Sequence, residues 1–161
     1  MTIIVIIAIL AVLFFPAIKS MMNRTDAVRC MANLRNLYYG ANSYVQQNGF
    51  WPQISTALVK EPGGKYAEAW RTALEPFGVT KEIWICPTVQ RELQNPDYTK
   101  PESARSDYLA TPFDAKPRTP YTWPTQPWFV ERGDVHGNGN LMIFTDGSIS
   151  TLNEMRKSQT P

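Results

Sequence analysis

One histidine, two cysteines and a net charge of only +2 bound what this 161-residue chain can do. A single histidine, His136, rules out any multi-histidine metal site and weakens a catalytic-triad reading. The near-neutral charge comes without a run of basic residues, so nucleic acid is not an expected partner. No phosphate-binding glycine loop is present, no nucleophile is paired with a base, and no ligand cluster has strong metal-site spacing. An enzyme is therefore not expected, nor is a resident cofactor. Internal repeats and low-complexity stretches are also missing. Cys30 and Cys86 allow at most one disulfide, and that only in an oxidising compartment.

What is present begins with a long apolar run. Met1 to Ile18 are apolar except for Thr2 and Pro16, and no polar face interrupts them. As a helix this stretch rises about 27 Å, slightly less than a hydrocarbon core of roughly 30 Å. A cleaved secretory signal would begin with positive residues and end in small ones, and neither feature is found here. From Lys19 onward the helical pattern continues with a different character. Ala27, Val28, Met31, Leu34, Tyr38, Ala41 and Val45 recur at helical spacing, with Arg29, Arg35, Asn36 and Gln46 between them. Asn48-Gly49 and Pro52 supply the stop. One helix over this whole span is on the order of 70 Å long, so its apolar half protrudes from a small head. Pro16 removes a helical hydrogen bond and is expected to kink the helix.

Beyond the Gly63-Gly64 turn, Tyr66, Trp70, Ala73, Leu74 and Phe77 read as one face of a short helix. Glu82 to Cys86 reads as a strand stopped by Pro87. Eight of the thirteen prolines fall between Pro87 and Pro127, which predicts a long irregular region packed down by its aromatics. Trp128 to Arg132 reads as a strand. Leu141 to Thr145 and Ser148 to Leu152 flank Asp146-Gly147, which suits a two-residue hairpin turn. In that register Phe144 faces Ile149 and Met142 faces Thr151, and one side of the hairpin covers the apolar stripe of residues 27 to 45. Asn153 to Lys157 adds a last helical turn. The expected fold class is α+β: a long N-terminal helix on a small antiparallel sheet, with a loop-rich head. Residues 1–22 form the apolar helix, and residues 23–161 form the head.

Several motifs, in order, carry a resemblance. The run Ile7-Ala8-Ile9-Leu10-Ala11-Val12-Leu13-Phe14-Phe15-Pro16-Ala17 resembles the hydrophobic segment of type IV pilins and type II secretion pseudopilins, with Pro16 at their kinking proline. Cys30-Met31-Ala32-Asn33-Leu34-Arg35 resembles the Cys-x-x-Asn-Leu-Arg stretch of one pseudopilin-like subgroup, and Cys86-Pro87 its Cys-Pro pair. His136, nine residues, then Asp146-Gly147 fits that subgroup's C-terminal signature. The resemblance implies a pilin-like fold and a structural subunit of a type II secretion or type IV pilus-like assembly. It implies other pilin-like subunits as partners through the N-terminal helix, and anchorage in a bacterial inner membrane before assembly. The family's basic leader, cleavage-site glycine, methylated phenylalanine and nearby glutamate have no counterpart here. Aligning on Pro16 places them upstream of Met1, as a misplaced start or a truncation would; a true short form could not be processed as family members are. Lys19, Arg24, Arg29 and Arg35 follow the span, and by the positive-inside rule alone they would hold the head in the cytoplasm. The family's basic leader reverses that orientation, so the head is expected in the periplasm or outside the cell. The alternative is a singly anchored extracytoplasmic binding module that does not polymerise.

Three groups of side chains are candidate sites. Cys30 shares a helix face with Leu34, Leu37 and Ala41 and can reach the core. A Cys30–Cys86 disulfide would tie the long helix to the Trp84-Ile85-Cys86 segment; two reduced, buried cysteines acting as small hydrophobes are the alternative. A calcium site would draw on Asp134, Asn138, Asn140 and Asp146, although the same residues are good turn formers. A lone histidine cannot build a zinc site without unpaired cysteines, so His136 is read as a hydrogen-bonded residue that pins the hairpin. Trp51, Trp123 and Trp128 would stack on a sugar or partner protein if exposed, and pack the head if buried.

Overall fold

The computed structural model describes residues 2–94, 98 and 100–158; for residues 2–20 and 101 only the backbone is described. The architecture is α+β, a long N-terminal helix laid against a four-stranded antiparallel sheet. Helix α1 runs from Thr2 to Asn48 without interruption, Pro16 included. It ends at Gly49, whose positive φ lets its N–H reach back to the Val45 carbonyl at 2.8 Å. Cys30, Leu34, Leu37, Ala41 and Val45 are buried along one stripe. Val28, read as part of that stripe, is instead 60 % exposed, since it lies on the flank of the face that Cys30 and Leu34 define.

Helix α2 (Lys65–Leu74) buries Tyr66, Ala67, Trp70, Arg71 and Leu74 and passes into a 3-10 turn at Glu75–Phe77. The segment expected as a strand from Glu82 to Cys86 is a 3-10 turn over Lys81–Trp84. A half-buried strand would alternate, whereas Trp84, Ile85 and Cys86 are buried in succession. Pro87 does not stop a strand here. It opens helix α3 (Pro87–Leu93), where its missing N–H costs nothing in the first turn.

The proline-rich region contributes a short helix, α4 (Thr119–Thr122), and strand β1 (Tyr108–Ala110), which the sequence pattern does not signal in three residues. Strands β2 (Phe129–Glu131), β3 (Leu141–Ile143) and β4 (Ile149–Thr151) follow, and the order β1-β2-β3-β4 is a simple meander. Helix α5 (Leu152–Ser158) closes the described chain. The hairpin falls where Asp146-Gly147 places it, but one residue out of the expected register. Ile143 faces Ile149 and Met142 faces Ser150, so Phe144 does not pair with Ile149 nor Met142 with Thr151. The loop has three residues, Thr145 to Gly147. The Phe144 carbonyl accepts from Gly147 N–H at 2.9 Å, and the Phe144 N–H donates to the Ser148 carbonyl at 3.0 Å. Gly147 at φ 77° supplies the left-handed residue that such a loop requires.

The core lies between α1 and the sheet. Leu34, Leu37 and Ala41 belong to one cluster with Phe129, Leu141 and Ile143, and β3 packs directly on α1. Trp51 and Trp128 are fully buried with ring centroids 5.0 Å apart, while Trp123 is 59 % exposed. Two of the three tryptophans considered for an outward-facing role are therefore core residues.

Candidate functional site

The four ligand-bearing side chains that the fold brings together come from four separate segments. Cys30 sits on the buried face of α1. Cys86 precedes α3, and its backbone is fixed from two sides: its N–H donates to Asp107 Oδ2 at 2.7 Å, and its carbonyl accepts from Gln90 N–H at 2.9 Å. Asp107 is itself held by Arg105, with Nε 2.9 Å from Oδ1. Glu131 ends β2 opposite Tyr108 on β1, and its carbonyl accepts from Asn140 Nδ2 at 2.9 Å. His136 lies five residues on, in the loop between β2 and β3.

The geometry is tight. The Cys30 thiol donates to Cys86 Sγ at 3.0 Å, and both thiols are free. Cys86 Sγ lies 3.9 Å from His136 Nε2, which is 3.3 Å from Glu131 Oε1. One ligand atom from each of Cys30, Cys86, Glu131 and His136 falls within 4.8 Å of every other. The side chains of Glu131 and His136 are 0 % and 5 % exposed. Neither carboxylate oxygen of Glu131, nor His136 Nδ1, has a hydrogen-bond partner among the described residues. The hydrogen bond with Cys86, and then burial, push the Cys30 thiol far above its ordinary range. Burial first, then the neighbouring Cys30, raises the Tyr108 phenol, whose oxygen accepts from Asn33 Nδ2 at 3.3 Å. In the absence of a cation the Cys30 thiol is held protonated; a bound cation would reverse that preference.

Cys30 and Cys86 thus meet as expected, though as adjacent thiols and not as a bonded pair. His136, read as a hydrogen-bonded pin for the hairpin, is found against Glu131 and Cys86. Of the residues read as a calcium site, Asp146 accepts through Oδ1 from the Ser148 N–H at 2.8 Å, and contacts with Ser148 hold its carboxyl below the usual carboxylate range. Asn140 turns its amide nitrogen toward the Glu131 carbonyl, and Asp134 and Asn138 are exposed. Asp134 and Asp146 join no group of three His, Cys, Asp or Glu ligand atoms among the described residues. The residue that sequence reasoning missed is Glu131. Its signal was the strand period: Phe129 and Glu131 share a face, so a carboxylate occupies an inward position of a core strand.

Among the described residues no helix is long and apolar enough to cross a membrane; the side chains of residues 2–20, which include most of the apolar run, lie outside that set. Comparison of the chain with family models, with curated proteins and with solved structures finds no match.

Proposed function

We propose that the chain is a pilin-like structural subunit of a type II secretion or type IV pilus-like assembly, working by helix packing and not by chemistry. The observation that carries this reading is the continuity of α1. One helix from Thr2 to Asn48 joins an apolar sequence at its start to a half whose stripe, Cys30 to Val45, is the spine of the head's core. A rod of that kind can anchor in a bilayer and later bundle with its like, hiding the same apolar surface in both states. Met21 and Val28, two helical turns apart, are exposed on α1 and offer further apolar surface for lateral packing. The sequence motifs around Pro16, Cys30, Cys86 and His136 support the same reading, with an inner-membrane, head-outside location before assembly.

The test is a polar substitution in the apolar run. Leu10→Asn should abolish cross-linking of the chain to pilin-like subunits in bacterial membranes while leaving the head resistant to protease. A wild-type chain that stays membrane-bound yet cross-links to no pilin-like subunit would favour the anchored, non-polymerising module.

A further inference from the structure

Glu131 poses a physical problem. A carboxylate with no exposed surface and no hydrogen bond to either oxygen is costly unless a counter-charge or a proton compensates it. His136 Nε2 stands on one side of it, and two buried sulfurs complete the cluster. A disulfide would account for the sulfurs alone, and a Glu131–His136 ion pair for the carboxylate and imidazole alone. A single dication accounts for all four groups.

We propose that Cys30 Sγ, Cys86 Sγ, His136 Nε2 and a Glu131 carboxylate oxygen bind one zinc ion, as a closed structural site that staples α1 to α3, β2 and the β2–β3 loop. Two sulfurs, one imidazole nitrogen and one carboxylate oxygen are the donors zinc takes in tetrahedral coordination. Four protein ligands leave no open position, so the site is structural and not catalytic. Two thiolates on a tetrahedral zinc lie about 3.8 Å apart, so the Cys30–Cys86 pair would open by roughly 0.8 Å. Burial fits too, since Cys30, Cys86 and Glu131 are each almost inaccessible. The carboxylate and imidazole disfavour Cu(I), which prefers an all-sulfur set, and the two sulfurs disfavour calcium and magnesium. Binding releases the thiol protons to solvent and involves no electron transfer, so the thiolates are retained as ligands. The inference stands on the head's geometry and is independent of whether the chain joins a filament.

The experiment uses the 161-residue chain in detergent, reduced and stripped of metal, then titrated with Zn2+ or with Co2+ as a spectroscopic probe. The expected result is one metal per chain. Co2+ should give thiolate-to-cobalt charge-transfer and intense tetrahedral d–d bands, and Zn2+ should bleach them. Both thiols should resist alkylation in the zinc-loaded chain and react after zinc is removed and the chain unfolded. Glu131→Gln, close in shape, should weaken Zn2+ binding by about 10-fold or more, and Cys86→Ser should remove one thiolate's share of the charge-transfer band. Stoichiometric Zn2+ absent from the reduced wild-type chain, octahedral Co2+ spectra, or equal affinity in wild type and Cys86→Ser would each overturn the proposal. So would a chain isolated from the cell metal-free and two hydrogens lighter than the dithiol, which would identify the pair as a disulfide. The wild-type measurements decide the matter even if a variant fails to fold.

Discussion

Val79 fills the space that a side chain on Gly40 of α1 would need. A Cβ built on Gly40 would stand 2.2 Å from Val79 Cγ2, and Val79 is buried at 2 % exposure. Glycine in a helix interior normally costs about 1 kcal/mol relative to alanine, so its presence here marks a close approach and not a flexible joint. Gly40→Ala should destabilise the head by about 1–2 kcal/mol, because a stiff β-branched neighbour has little freedom to retreat. In a Val79→Ala background the sign should reverse and Gly40→Ala should become stabilising through helix propensity. Urea unfolding of the four chains measures both effects. Destabilisation of equal size in the two backgrounds would mean that the steric reading of this contact is wrong.

A second seam joins the same helix to α3. Asp26 is buried near the start of the described α1 side chains, and its Oδ2 accepts from Thr88 Oγ1 at 3.2 Å and pairs with Arg91 Nη2. The Arg91 side chain is 40 % exposed, so solvent screens the pair in part. A double-mutant cycle of Asp26→Ala and Arg91→Ala should give a coupling of about 1 kcal/mol, larger than a surface pair and smaller than a buried one. The coupling should shrink in high salt. A value indistinguishable from zero at low salt would show that the pair does not hold α3 in place.

The sequence made some of this visible and hid the rest for physical reasons. The face carrying Cys30, Leu34, Leu37 and Ala41 follows from helical spacing alone, and all four are buried. The Asp146-Gly147 turn is equally local, yet its register is not. Two- and three-residue loops both use a left-handed glycine, and only the pairing of Ile143 with Ile149 tells them apart. Glu82 to Cys86 misled because β-favouring side chains in a short run do not distinguish a strand from a 3-10 turn packed on Trp70. The four-ligand cluster is the hardest case. Its members stand at positions 30, 86, 131 and 136, and nothing local links them. Only the placement of β2 against α1 brings a carboxylate to two thiols.

Gly147 offers a test of the hairpin loop itself. A Cβ there would meet Tyr38 Cε1 at an ordinary 3.5 Å, so the backbone at φ 77°, and not crowding, is what restricts substitution. Gly147→Ala should cost about 1 kcal/mol in thermal or urea unfolding. Gly147→Asn should recover a good part of that loss, because asparagine tolerates the left-handed region. If alanine and asparagine cost the same, contact with Tyr38 and not backbone strain sets the preference.

The junction of β4 and α5 carries a reciprocal cap whose strength depends on pH. Thr151 Oγ1 accepts from the Glu154 N–H at 3.3 Å, and Glu154 Oε2 accepts from the Thr151 N–H and from Ser150 Oγ, each at 3.0 Å. This is a capping box at the first turn of α5. The Thr151 N–H, then the Ser150 hydroxyl, hold the Glu154 carboxyl below the usual range. A carboxylate whose folded value is depressed stabilises above its unfolded value and loses that contribution as pH falls through the folded one. Protection of the Thr151 amide from hydrogen exchange, corrected for intrinsic rate, should therefore be full at neutral pH. It should decline as pH drops below about 4.3, the ordinary glutamate value. Glu154→Gln should flatten this dependence without abolishing the helix. Thr151→Ala, which removes the other half of the box, should cost about 1 kcal/mol at neutral pH. Equal pH profiles for the Thr151 amide in wild type and Glu154→Gln would show that the carboxylate does not cap α5 in solution.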